Sequence, residues 1–361
     1  MLGPFGTMIV GPMFPELRDT FGVSTETIGW SLTAYLLPFS VLLLVSGTLG
    51  ERWGRRQVVR AAFLLYGLSC LGAAASANLT MFLTFRALQG VGNAFTTPLL
   101  LAGLADITPP QRLGRAIGIY ASFQAAGTSL APFVGGMATE VHWRLGFVIL
   151  AVFCFFLLPA PPPGEPRRDA EAPPIRPLFS RRLALLAAAG TATTAGTLGM
   201  TYLISLQARD TLGLSAGGAG ALLLVAGLTM LVLAPRWGRV VDRFGAPRAG
   251  VVAVVTASAL SALIGYTDEV ILLTMLFAAT SAASSLVLVA LQSLATVAVP
   301  DNRGGAVSVV LGFRFAGLAL SPLIWIPVFE SDPVLAFQGT ALVSLPAALA
   351  FAALGQRRVS A

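Results

Sequence analysis

An arginine lies inside a long apolar stretch of this sequence. The stretch from Thr80 to Leu104 is long enough to cross a bilayer as a helix, and it carries Arg86 about two turns from its start. A charge at the centre of a membrane helix costs about 2.5–3.5 kcal/mol on insertion scales, so Arg86 should face protein or water. At 3.6 residues per turn, one polar stripe comprises Arg86, Gln89, Gly90, Asn93 and Thr97. We interpret Arg86, Gln89 and Asn93 as candidates for a substrate or proton pathway.

The composition indicates an integral membrane protein. Of the 361 residues 56% are hydrophobic and 11% are charged, whereas soluble domains carry about 25% charged residues. The net charge of +7 does not indicate nucleic-acid binding, because most arginines lie in short loops between apolar runs, where they act as topology signals. Cys70 and Cys154 lie in separate apolar runs without metal-ligand spacing. No disulfide, metal or cofactor is therefore expected.

Twelve apolar runs, numbered here as spans 1 to 12, follow one another along the chain. A stretch rich in proline and charge separates spans 6 and 7 and is predicted to be a linker, since it cannot continue a helix. The prediction is a six-helix bundle at residues 1–160, a linker at 161–182 and a second bundle at 183–361. The approximate runs are 1–14, 27–48, 57–76, 79–104, 114–137, 144–160, 183–206, 216–235, 248–266, 270–297, 305–328 and 334–354.

The segment between spans 1 and 2 is polar. Residues 15–29 form this segment, in which Arg18 is assigned to a loop and Ser24 and Thr25 are candidate caps for the helix of span 2.

Arginines are distributed unequally between the two sides of the membrane. Eighteen lie in the linker, the C-terminal tail and the loops on the same side, and three, Arg18, Arg144 and Arg209, lie in the opposite loops. Positively charged loops stay inside, so both termini and the linker are predicted to be cytoplasmic. The expected location is the plasma (inner) membrane of a prokaryote.

The two halves of the chain repeat one another. Residues 51–54 (ERWG) are echoed by residues 242–245 (DRFG) with an offset of 191, and Pro132 is echoed by Pro322 with an offset of 190. A nearly constant offset across several spans indicates two parallel structural repeats.

The turn between spans 2 and 3 combines glycine, acid and arginine. Glycine permits a tight turn and close helix ends, and the acid can accept hydrogen bonds from arginine. Topology alone explains Arg55 and Arg56, but it does not explain Glu51 between glycines or its echo at Asp242. The predicted conformational latch comprises Gly47, Glu51, Arg52, Gly54, Arg55, Asp242, Arg243 and Gly245.

Span 5 carries small residues at every fourth position. Gly127, Ala131 and Gly135 form a seam suited to close helix contact, and Pro132 removes a backbone hydrogen bond and is expected to bend the helix. The seam has two readings, ordinary packing or a barrier to leakage while the halves move. Its candidate residues are Gly127, Pro132, Gly135 and Gly136.

Three of these stretches resemble motifs of the major facilitator superfamily. The turn 47–56 is similar to its signature between helices 2 and 3, with Glu51 where aspartate is usual. Residues 86–94 (RALQGVGNA) resemble its helix 4 motif. Residues 127–136 resemble the helix 5 motif of its drug–proton antiporters, with Ala131 replacing a glycine. The resemblance implies an all-α membrane protein of twelve transmembrane helices in two pseudo-symmetric six-helix bundles, and it implies that Arg86 takes part in proton coupling.

Proton coupling needs a titratable partner for Arg86. The acidic residues fall in predicted loops or near span ends, and Glu16 and Glu26 are the nearest candidates. A second intramembrane cation, Arg314, lies at the position equivalent to Gln124, and the two are expected to face each other across the pseudo-symmetry axis. Two central cations without a buried anion favour an anionic substrate or coupling through a peripheral carboxylate.

The function predicted from the sequence is secondary active transport by alternating access. Its task would be proton-coupled export of small amphipathic or aromatic compounds by a monomer in the bilayer. One alternative is uptake or uniport of a small organic anion held by Arg86 and Arg314. An alternative of another class is a transport-inactive receptor or assembly partner. An enzyme is not expected, because no Ser/His/Asp, Cys/His or metal constellation is present.

Overall fold

The computed structural model of the chain describes residues 2–159, 161, 176–299 and 302–356. Its helices group into two compact units, Met1–Ala172 with Ser215–Ala221, and Pro173–Leu214 with Leu222–Ala361. Most of the predicted linker, residues 162–175, lies outside the described residues, as does Ala160. The domain boundaries drawn from the sequence therefore stay a prediction.

The first unit contains spans 1 to 6. Span 1 is interrupted, with helices at Leu2–Met8 and Phe14–Phe21 and a 3-10 turn at Gly11–Met13. Span 4 is also divided, at residues 95–96. The remaining bounds are Thr25–Trp53 for span 2, Arg55–Ala74 for span 3, Leu79–Ala94 and Thr97–Ile107 for span 4, Pro110–Val141 for span 5 and Arg144–Leu157 for span 6.

The second unit contains the other six spans, except that the start of span 8 groups with the first unit. A 3-10 turn at Arg176–Phe179 precedes span 7, and span 7 is interrupted like span 1. The bounds are Arg181–Ala195, Thr201–Leu206 and a π turn at Gln207–Thr211 for span 7, Ala216–Phe244 for span 8, Ala246–Ile264 for span 9, Val270–Thr296 for span 10, Arg303–Ser331 for span 11, and Pro333–Ser344 and Pro346–Gln356 for span 12.

Seven of these segments, within the described ranges, are long and apolar enough to cross a membrane as they stand. Several of the others are divided at proline or glycine. In span 4 the division follows from Pro98, which has no N–H to donate and whose ring would meet the carbonyl of Ala94 in a continuous helix. In span 7 the helix stops at Gly196.

The polar segment after span 1 is not the loop expected from the sequence. Phe14–Phe21 is helical and has Glu16 in its first turn, and the chain turns at Gly22, whose φ is 64°. That conformation is unstrained for glycine and ends the helix. The predicted cap of span 2 is confirmed, because Ser24 Oγ accepts a hydrogen bond from the Thr27 N–H at 3.2 Å.

Candidate functional site

Arg86 is fully buried, and its guanidinium joins three spans of the first unit. Its Nε donates to the Ser31 carbonyl of span 2 at 3.1 Å. Its Nη1 donates to the Gly6 carbonyl of span 1 at 3.0 Å and to Gln89 Oε1 of span 4 at 2.6 Å. Gly6 lies in the last turn of Leu2–Met8, where carbonyls lack helical partners and a cation is favoured. Arg86 thus holds the end of a broken helix.

Aromatic rings and a thiol complete the surroundings of Arg86. The guanidinium carbon lies 4.6 Å from the centre of the Tyr35 ring and 5.9 Å from that of Phe147, within the range of cation–π attraction. Gln89 Nε2 donates to Cys70 Sγ at 3.4 Å, which extends the network to span 3. Arg86 and Gln89, which the sequence places on one stripe, therefore act together.

No carboxylate pairs with Arg86 among the residues that the structure describes. Glu16 is half-buried in the second helix of span 1 and Glu26 is exposed at the start of span 2, and neither reaches it. Nη2 of Arg86 is buried without a hydrogen bond. Asn93, the third residue of the predicted stripe, is also buried, but it pairs with Thr96, whose Oγ1 donates to Asn93 Oδ1 at 3.0 Å.

The turn between spans 2 and 3 contains a buried arginine with two acidic partners. Nε and Nη2 of Arg55 each lie 2.7 Å from Glu51 Oε1, and its Nη1 lies 2.9 Å from Asp106 Oδ2 at the end of span 4. Arg55 is 1% exposed. Gly54 turns the chain with a φ of 95°, so Arg55 can point back at Glu51. The cluster ties spans 2, 3 and 4 together at one end.

The echo of this turn in the second unit repeats the backbone but not the charges. Gly245 has a φ of 83°, close to that of Gly54. Asp242 and Arg243 are exposed and form no ion pair with the described residues. The position equivalent to Arg55, 191 residues on, is Ala246. Exposed Arg52 likewise forms no ion pair with the described residues, and the latch role of all eight residues stays a prediction.

The span 5 motif lies against two other spans of the first unit. A Cβ at Gly135 would come within 2.5 Å of the Ile9 carbonyl at the break of span 1. A Cβ at Gly136 would meet the Ala216 carbonyl, and one at Gly220 would lie 2.6 Å from the Pro132 carbonyl. Gly127 and Pro132 are buried within one continuous helix.

Gln124 and Arg314 lie in different units, so their predicted facing stays a prediction. Gln124 Nε2 donates to the hydroxyl of Tyr120 at 3.4 Å, and Tyr120 lies one turn earlier on the same face of the helix. Arg314 is half-buried in the middle of span 11, and its guanidinium carbon lies 5.0 Å from the centre of the Phe315 ring.

A family model described as Major Facilitator Superfamily matches residues 1–322 of the chain. The chain belongs to this superfamily. It is a multi-pass membrane protein, and the superfamily consists of transporters rather than enzymes. The fold class predicted from the motifs is therefore confirmed.

Curated relatives in this superfamily include resistance proteins. The chain is 37% identical over 139 residues to the puromycin resistance protein of Streptomyces alboniger, covering 38% of this chain and 27% of that protein. It is 29% identical over 150 residues to the tetracenomycin C resistance and export protein of Streptomyces glaucescens, covering 41% and 28%. An MFS antiporter of Candida albicans is 31% identical over 161 residues, covering 44% and 23%. The matches thus span about a quarter of each relative's length.

Solved structures of the major facilitator fold superpose on nearly the whole chain. A bacterial homologue of the human lysosomal transporter Spinster, inward-facing and unoccupied, gives a TM-score of 0.76 at 17% identity over 97% of this chain and 93% of that chain. The D-xylose–proton symporter gives 0.75 at 17% identity over 97% and 94%. At this identity they show the shared fold alone.

Three residues of these networks were missed by sequence reasoning. Tyr35 and Cys70 look like ordinary core residues because their polar atoms sit in apolar runs. Asp106 was counted as a loop acid, and only the fold brings it to Arg55.

A fourth missed residue, Glu140 in span 5, accepts a hydrogen bond from the Gly217 N–H at 2.6 Å. It thereby caps the start of span 8. Glu140 and Gly217 are 77 residues apart, so no local sequence pattern indicates that Glu140 caps this helix.

Proposed function

We propose that the chain is a secondary active transporter that exports small amphipathic or aromatic compounds in exchange for protons. It works by alternating access in the prokaryotic plasma membrane, with both termini and the linker in the cytoplasm. One observation carries the direction of transport. Two relatives that align with this chain are named for antibiotic resistance, and one of them is also named for export.

Arg86 supports a coupling role for span 1. Its guanidinium binds the carbonyl of Gly6 beside an interruption of that span, and interrupted helices are typical of transport sites. A movement of span 1 therefore has to break or re-form this bond. Because Arg86 has no carboxylate partner among the described residues, the proton carrier in this proposal is a carboxylate that acts through span 1.

Glu16 is the better of the two carriers predicted from the sequence. It is half-buried and belongs to the second helix of span 1, whereas Glu26 is exposed at the start of span 2. Protonation of Glu16 changes the charge on the same span that Arg86 holds. This arrangement would couple a proton to the position of span 1 without direct contact between the two side chains.

The test uses proteoliposomes with a pH-sensitive dye in the lumen and an imposed pH gradient. Puromycin and tetracenomycin C, after which two relatives are named, serve as probes together with 1-naphthoate, a small aromatic carboxylate. A probe that is transported should move protons in the opposite direction, and collapse of the gradient should abolish accumulation. Transport that ignores the pH gradient would overturn the antiport proposal. An effect of the protein on resistance that survives Arg86→Ala would favour the receptor alternative.

Uptake or uniport of an organic anion is the second candidate. It was predicted with Arg86 and Arg314 as the two anion-binding residues. The guanidinium of Arg86 already donates to three acceptors of the protein, so Arg314 is the more available of the two cations. Transport measured from each face of the vesicle separates uptake from export.

A further inference from the structure

Arg314 is a cation in the middle of a membrane span. Span 11 runs from Arg303 to Ser331, so Arg314 lies eleven residues, about 16 Å, from its start. That distance is about half the thickness of the hydrocarbon core. The nearest acidic residue on the same helix, Glu330, lies sixteen residues further along, about 24 Å away.

The backbone around Arg314 is held by span 7. Thr194 Oγ1 donates to the Arg314 carbonyl at 2.6 Å, and Thr191 Oγ1 donates to the Phe313 carbonyl at 3.1 Å. Gly190 faces the start of the arginine side chain, where a Cβ would lie 3.7 Å from Arg314 Cβ. The contacts between these spans use the backbone and the hydroxyls, and they leave the guanidinium out.

The guanidinium of Arg314 makes no hydrogen bond and no ion pair with any residue that the structure describes. Among the described residues, its guanidinium lies over the ring of Phe315, on which the planar group can stack. Arg55 and Arg86 differ, because Arg55 donates to two carboxylate oxygens and Arg86 to three oxygen atoms of the protein. Arg314 therefore offers five N–H donors at the centre of a span, and none of them has an acceptor in the described part of the chain.

We propose that Arg314 binds the negatively charged group of the transported compound, and that the substrates are small aromatic or amphipathic carboxylates. An unpaired cation in a membrane helix is costly and faces a pathway rather than lipid. The planar guanidinium matches the geometry of a carboxylate, and the Phe315 ring offers an apolar surface beside it. The proposal rests on the transport function proposed above and names the charge of its substrates.

The test compares 1-naphthoate with 1-naphthamide, which have the same ring system but differ in charge. Binding is measured in detergent from the melting temperature, with a thiol-reactive dye that labels the buried Cys70 and Cys154 as the protein unfolds. We expect naphthoate to bind at least about tenfold more tightly than naphthamide, because hydrogen bonds to a charged group exceed neutral ones. In Arg314→Gln this preference should fall to about one.

Two further variants make the result specific. Arg248→Gln removes an equal charge at an exposed position in the first turn of span 9 and should keep the preference of the wild type. Arg314→Lys keeps the charge but not the planar fork, so its preference should lie between those of the wild type and Arg314→Gln. If Arg314→Gln does not fold, Arg314→Lys and the wild type still decide the question.

The proposal is overturned if the wild type binds both probes equally or binds neither at millimolar concentration. It is also overturned if the glutamine or lysine variant keeps the full preference. The binding assay in detergent does not depend on a pH gradient or on the direction of transport. A negative result in this assay can therefore be distinguished from a negative result in the antiport assay. A protein that prefers naphthoate but exchanges no proton would contradict the export mechanism alone.

Discussion

Because the guanidinium of Arg86 is buried, we expect Arg86→Met to destabilise the protein less than Arg86→Lys, although lysine is chemically more similar to arginine. Arg86→Met removes three hydrogen bonds, to Gly6, Ser31 and Gln89, each about 1.5–3 kcal/mol for a charged donor. It also removes the cost of burying a charge, which is several kcal/mol per ion. Because no carboxylate among the described residues pairs with Arg86, none of them is left unpaired, and the two effects oppose each other. We expect the net change to be within about 2 kcal/mol.

Arg86→Lys keeps the cost of burying a charge but loses the planar shape of the guanidinium. An ammonium is a compact point charge and cannot reach three acceptors that a guanidinium fork reaches from different directions. Loss of one or two bonds should make the lysine variant less stable than the methionine variant by about 2–5 kcal/mol. Both variants should lose proton-coupled flux, because neither restores the link between spans 1, 2 and 4.

The assay is the melting temperature in detergent, reported by dye labelling of the buried cysteines, alongside flux in proteoliposomes. In a chain of this size 1 kcal/mol corresponds to a shift of about 2–4 °C or less. Arg86→Met should therefore melt close to the wild type and Arg86→Lys clearly lower. A lysine variant that melts at or above the methionine variant would refute the reasoning, since it would reveal a counter-charge that pairs with the cation.

Three other variants test the remaining parts of the site. Glu51→Gln keeps an acceptor for Arg55 but removes the negative charge, which should weaken this interaction by about 1 kcal/mol. The equilibrium between the resting states should shift about fivefold toward the cytoplasm-open state, as measured by cysteine labelling from each side. Glu16→Gln should uncouple substrate flux from the pH gradient while Glu26→Gln does not, and equal effects would remove Glu16 as the carrier. Gly135→Ala should cost about 1–3 kcal/mol by overpacking against span 1. Gly238→Ala, in open space within a helix, should not lower the melting temperature, because alanine favours the helix over glycine.

The sequence predicted the fold because its strongest signals are local. Hydrophobic runs, arginine-rich loops and the repeated residues 51–54 and 242–245 depend only on nearby residues. The sequence did not predict that residues 15–21 are helical, since their polar composition resembles that of a loop. The turn at Gly22 ends this helix.

Contacts between distant residues had no such signal. Arg55 with Asp106 and Glu140 with Gly217 involve residues on spans that only the fold brings together. The stripe of Arg86 and Gln89 was visible because it lies on one helix, but its acceptor at Gly6 was not, since a backbone carbonyl has no identity in a sequence.

The two units end their broken first spans with different donors. In the first unit, Arg86 binds the Gly6 carbonyl. In the second, the Ala195 carbonyl at the end of the first helix of span 7 accepts from Trp325 Nε1 at 2.6 Å and from Ser321 Oγ at 3.0 Å. The neutral donors of the second unit show that such a break can be satisfied without a charge. A buried cation is costly, and packing alone does not require one here. This contrast supports the coupling role that we propose for Arg86.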